Sequence, residues 1–171
     1  MDTLISINQP APDFELADLN GAVHFLSDYR GMIAIINFWS AECQWTERTD
    51  RELVEYLADW GDRAVVLPIA ANKNEPLSLL RQKASERGLP LVLHDKSGEV
   101  ADLYGASTTP EFFVVDSGGI LRYQGAFDDV TFRKREPEKA YLRQAVEALL
   151  AGEQPDPAQT PPYGCAIVRY T

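Results

Sequence analysis

Ile33-Ala-Ile-Ile-Asn-Phe-Trp-Ser-Ala-Glu-Cys-Gln-Trp-Thr-Glu-Arg48 begins as an apolar run rich in β-branched residues and ends polar and charged. The first half has the composition of a buried strand. The second half continues as Arg51-Glu-Leu-Val-Glu-Tyr-Leu-Ala-Asp-Trp60, where Leu53, Val54, Leu57 and Trp60 recur at the three- and four-residue steps of an amphipathic helix. Cys43 therefore falls where a buried strand hands over to a helix. Unpaired N–H groups and the positive end of the helix dipole favour an anion there. The reactive form of cysteine is its thiolate, so this placement makes Cys43 the candidate nucleophile.

Around this junction the chain alternates strands and helices. Upstream, Phe14, Leu16, Val23 and Phe25 flank the Asn20-Gly21 turn signal of a β-hairpin. A turn over Ser27–Gly31 leads into the central strand at 32–39, and the helix follows at about 43–60. Ala64–Ala71 reads as a second buried strand, in which Pro68 predicts an edge, a bulge or an early end. A helix is expected from Glu75 to Arg87, capped by Gly88. Short extended and helical pieces follow to Gly105. Thr109-Pro110 then precedes a strand over Glu111–Asp116, which Ser117-Gly-Gly119 turns back into a second hairpin at 120–125. A last helix spans about 138–151, with Leu142, Ala145, Val146, Leu149 and Leu150 on one face. The pattern is that of an α/β fold, a mixed central sheet with helices on both faces and an N-terminal β-hairpin.

The 171 residues suit one domain, placed at 1–151, followed by a proline-rich tail at 152–171 that carries Cys165. Four prolines between 155 and 162 predict an extended, polyproline-like tail rather than a packed one, although Ile167-Val168 has the character of a docking strand. A net charge of −10 disfavours a nucleic-acid partner, because the phosphate backbone would be repelled. The basic clusters at 133–135 and 81–87 read as solvated faces. No apolar run reaches the roughly 20 residues of a membrane span, and Met1–Asn8 lacks a signal-peptide pattern. The expected setting is cytoplasmic, with no membrane partner. Two cysteines make no disulfide scaffold, and His24 and His94 have no metal-ligand spacing, so no metal is expected.

Asn37-Phe-Trp-Ser-Ala-Glu-Cys43, with Thr46 three positions further on, resembles the active-site segment of the thioredoxin superfamily. That segment usually reads Phe-Trp-Ala-x-Trp-Cys-x-x-Cys. Thr109-Pro110 is similar to the family's cis-proline loop, which faces the cysteine. The Ala11-Pro-Asp-Phe14 opening and the Asn-Gly hairpin resemble the alkyl hydroperoxide reductase and thiol-specific antioxidant branch. Thr109-Pro-Glu-Phe-Phe113, Tyr123-Gln-Gly-Ala-Phe-Asp-Asp129 and Gly164-Cys-Ala-Ile167 resemble a peroxiredoxin-like bacterial subgroup. The resemblance implies a thioredoxin-like fold and a thiol–disulfide oxidoreductase acting through Cys43. Where the family has its second cysteine, this chain has Thr46. Asn37 replaces a commonly buried acid. Ser40 supplies the hydroxyl of the peroxiredoxin motif, but Ile36 stands in place of its proline.

The candidate catalytic residues are thus Cys43, Cys165, Thr46 and Ser40, with Cys165 as the resolving thiol if it reaches Cys43. Trp45, Thr109, Pro110 and Trp39 are the candidate substrate-binding residues. Glu42 and Glu47 would oppose a thiolate at Cys43 and Arg48 would favour it. No cofactor is implied. The implied partners are a protein or small-molecule thiol, disulfide or peroxide, with a thiol reductant. Two other readings stay open: a one-cysteine peroxidase and a non-catalytic binding module.

Overall fold

The computed structural model describes residues 5–170, so part of the Met1–Asn8 stretch lies outside it. The N-terminal hairpin pairs β1 (Glu15–Asp18) with β2 (Val23–Phe25), Leu16 opposite His24. The central strand β3 (Ile33–Trp39) is buried along its whole length and runs parallel to β4 (Ala64–Ala70). The helix α1 (Gln44–Trp60) joins them. Then come α2 (Leu77–Glu86), the two-residue β5 (Leu93–His94) and α3 (Glu99–Tyr104). After them lie β6 (Thr108–Thr109), β7 (Glu111–Val115), β8 (Leu121–Gly125) and α4 (Tyr141–Leu150). A final strand, β9 (Cys165–Ala166), lies in the tail.

Seven strands form one mixed sheet in the order β2-β1-β5-β4-β3-β7-β8. The crossovers β3–α1–β4 and β4–α2–β5 step the same way along the sheet. The fixed hand of such crossovers therefore puts α1 and α2 on one face. The side chains agree. Ile33 and Ile35 pack with Leu53 and Trp60 of α1 and with Leu142, Ala145 and Val146 of α4. Ala34, Ile36 and Phe38 point to the other face, against Val100, Ala101 and Tyr104 of α3 and the hairpin's Phe14 and Leu16. The two-residue period of β3 thus feeds two cores.

Pro68 lies inside β4, opposite Asn37, in a strand that is interior to the sheet but locally an edge at this residue. Strand β5 pairs with β4 only at Ile69 and Ala70. Beside Pro68 that flank has no ladder partner, so the missing N–H costs nothing. The second helix is shorter than expected: Glu75 and Arg87 fall just outside α2. The tail differs most. Gln124 N–H donates to Ala158 and Thr160 N–H to Gln124, at 3.0 Å each, which holds the tail along β8. The tail then crosses to pair β9 with β6, Thr109 opposite Cys165. Repeated prolines remove donors but leave carbonyls, and the non-proline residues between them supply these bonds. Among the described residues no helix is long and apolar enough to cross a membrane.

Candidate active site

Strand β3 ends at Trp39, and residues 40–42 turn the chain into α1 with Cys43 as N-cap. Two buried side chains of opposite charge hold this turn. Glu75, 5% exposed, accepts from Ser40 Oγ at 2.6 Å, Ala41 N at 3.0 Å and Glu42 N at 3.2 Å. Ser40 Oγ in turn accepts the N–H groups of Glu42 and Cys43, both at 3.2 Å. On the carbonyl side, Arg87 donates to Ser40 O at 3.1 Å and to Ala41 O. Its guanidinium also reaches Asp50 at 3.1 Å and lies 5.1 Å from the Trp39 ring. Trp39 Nε1 donates to Asp50 at 2.7 Å. Carboxylate takes the donors and guanidinium takes the acceptors, so the turn is fixed from both sides.

Cys43 is 4% exposed, and its Sγ donates to Thr109 O at 3.2 Å. Thr109 precedes Pro110 through a cis peptide bond, and the same Thr109 stands opposite Cys165 in the β6–β9 pair. The two cysteines, both free thiols, therefore meet over one residue. Burial works against a charged Cys43. The Cys165 thiol, the N–H and hydroxyl of Thr46 and the N–H of Trp45 outweigh it and hold the Cys43 pKa below its usual value. Cys165 is driven up to about 12, by burial first, then by Cys43 beside it and by the charge of Glu75. The pair is asymmetric: Cys43 is the thiol that gives up its proton more readily, and Cys165 the one that holds it.

Among the described residues Thr46 Oγ1, buried, has no hydrogen-bond partner while Cys43 is a thiol. Ionisation of Cys43 gives that hydroxyl an acceptor. A hydrogen bond to a charged group contributes about 1.5–3 kcal/mol. Thr46→Val should therefore slow alkylation of Cys43 at pH 7 roughly tenfold, with little change at pH 10, as measured by iodoacetamide kinetics. Equal rates at pH 7 would remove Thr46 from this role.

Several expectations need correction. Ser40 is no free catalytic hydroxyl, because Glu75 and two backbone N–H groups occupy it. Trp39 offers no surface to a substrate, being fully buried and tied to Asp50 and Arg87. Arg48 does not serve the thiolate, being paired with Asp128 and Glu52. Arg87, assigned above to a solvated face, has a side chain only 7% exposed. Trp45 is half-buried, its ring edge-on to Tyr163 of the tail at 5.1 Å. The carbonyl of Thr109, just before Pro110, does face Cys43, but β9 already pairs with Thr109. Asn37 is fully buried, and among the described residues neither of its amide atoms has a hydrogen-bond partner. Sequence reasoning missed Glu75, Asp50 and Arg87. Among the described residues no cluster of His, Cys, Asp and Glu could hold a metal ion.

A thioredoxin-like sheet with one cysteine at the N-cap of its first long helix, facing an X-Pro loop, defines a class of thiol-dependent proteins. The chain belongs to the AhpC/TSA family, which it matches over residues 7–124. It is 34% identical over 122 residues to the thiol-disulfide oxidoreductase ResA of Geobacillus thermodenitrificans, covering 70% of this chain and 69% of that protein. A hypothetical protein from Sinorhizobium meliloti 1021 superposes with a TM-score of 0.87 at 30% identity, over 98% of this chain and 96% of that one. The thioredoxin domain of a thiol-disulfide oxidoreductase from Bacteroides vulgatus shares the fold, with a TM-score of 0.68 at 18% identity, over 85% and 98% of the two chains.

Proposed function

We propose that Cys43 and Cys165 are the working pair of this thiol–disulfide oxidoreductase. The Cys43 thiolate attacks one sulfur of a substrate disulfide, whose S–S bond breaks and releases a thiolate that takes a proton. Cys165 then gives up its proton and attacks Cys43 Sγ. A Cys43–Cys165 disulfide forms and the second substrate thiol leaves. Two electrons pass to the substrate, and an external thiol reductant returns them to the pair. The observation that carries this reading is the meeting of both cysteines at Thr109, which supplies the partner sulfur that Thr46 cannot. The reading includes a cytoplasmic setting, whose thiol pool would supply that reductant.

A peroxide substrate has less support. Ile36, in place of the motif's proline, is sealed within the core, and the Ser40 hydroxyl is spent on Glu75. Thiol counting by mass spectrometry tests the pair. Mild oxidant should remove both thiols within a monomer, and dithiothreitol should restore them. Slow alkylation of Cys43 with no response to oxidant would leave a binding module instead.

A further inference from the structure

We propose that the C-terminal strand permanently fills the peptide-docking edge beside Cys43, so that this protein exchanges with low-molecular-weight thiols and disulfides and excludes extended polypeptides. The proposal rests on the Cys43–Cys165 pair as the redox centre and names its substrate class.

An extended polypeptide reaches such a site by adding a strand, using main-chain hydrogen bonds to an exposed edge. Here β6 is that edge, and its partner is the chain's own β9. Thr108 stands opposite Ala166 and Thr109 opposite Cys165, while Ile167 N–H donates to Ser107 O at 2.9 Å. A foreign strand would need the same groups. Cys165 sits at the position a substrate cysteine would take.

The occupant is anchored on both sides of that cysteine. Upstream, Thr160 Oγ1 lies 2.6 Å from Tyr123 Oη and accepts from Ala126 N at 2.9 Å. Tyr163 accepts from Phe132 N at 2.8 Å and covers Trp45. Downstream, Ile167 is buried in the core, Val168 N donates to Asn72 Oδ1 at 2.6 Å, and Arg169 holds Ala106 O and Asp102. Displacing β9 means breaking these contacts together.

The fit is also particular to this tail. A Cβ on Gly164 would lie 2.0 Å from Thr109 O and 3.0 Å from Pro110 Cδ. The residue before the cysteine must be glycine for the strand to lie this close, which a general polypeptide substrate does not satisfy. The solvent side of Cys165 remains as the way in, and Cys165 is the exposed cysteine of the two. A small disulfide RSSR entering there takes two electrons and two protons from Cys43 and Cys165. It leaves as two RSH, and the pair becomes a disulfide.

The test compares two oxidants on the reduced full-length protein: 2-hydroxyethyl disulfide and the disulfides of insulin. Each rate is divided by that of dithiothreitol with the same oxidant. The wild type should favour the small disulfide at least a hundredfold. Gly164→Ala and Ile167→Asp, which release the strand upstream and downstream, should each narrow the preference at least tenfold. A wild type that takes insulin as readily as the small disulfide overturns the proposal. So do variants that keep the wild-type preference after limited proteolysis shows the tail released. Failure of both oxidants with the wild type refutes the redox pair itself, and the proposal with it.

Discussion

Cys43→Ser is expected to lower thiol–disulfide exchange about a thousandfold or more, equivalent to roughly 4 kcal/mol of barrier. A serine hydroxyl in the same place does not ionise near neutral pH, so the attacking anion is gone while the fold remains. Cys165→Ala should behave differently. The first attack still occurs, but nothing resolves it, so a mixed disulfide on Cys43 accumulates and is seen as an adduct by mass spectrometry. Loss of the Cys165 thiol also removes a donor that lowers the Cys43 pKa. The midpoint of the alkylation–pH profile should therefore move upward from its wild-type value. That wild-type midpoint should lie below the ordinary thiol range, because the thiolate is the form the site stabilises. Full exchange activity in Cys43→Ser, or no adduct in Cys165→Ala, would contradict the assignment of roles.

The N-cap position of Cys43 was legible because two periodicities meet there, the continuous apolar run of β3 and the three-to-four spacing of α1. The hairpins were legible from Asn20-Gly21 and Gly118-Gly119. Other parts were set by contacts between distant segments. Glu75 and Arg87 look like the acidic start and basic end of one helix, a common surface pattern. Only the tertiary packing shows that both turn away from α2 to grip residues 40–42. Asp50 sits on a helix rich in exposed acids, and nothing local separates it from Glu47 or Glu52. The docking of Cys165 rests on a two-residue strand, too short to leave a periodic signal. Pro68 signalled a local edge without saying where it falls, because that depends on where β5 starts, and β5 is equally short.

Arg87→Met should be the most destabilising single change near the site, by about 3–5 kcal/mol at pH 7, because it leaves a buried carboxylate without its cation. For a domain of this size that is roughly 10 °C in Tm. Asp50 is 2% exposed, and burial pushes its pKa up to about 6 although Trp39 and Arg87 pull it down. The folded state therefore holds a proton that the unfolded chain releases near pH 4. Between these values stability from this group falls as pH rises, since the folded form binds more protons. Without Arg87 the upper end of that window moves above 6. The deficit of Arg87→Met should then be large at pH 7 and shrink markedly at pH 5, where Asp50 is protonated in the folded variant. Adding Asp50→Asn should recover much of the loss at pH 7, because a neutral amide needs no counter-charge and still accepts from Trp39 Nε1. Thermal denaturation of the three proteins at pH 5 and pH 7 measures this. An equal deficit at both pH values, with no recovery in the double variant, would mean that Arg87 acts through the carbonyls of Ser40 and Ala41 rather than through the charge of Asp50.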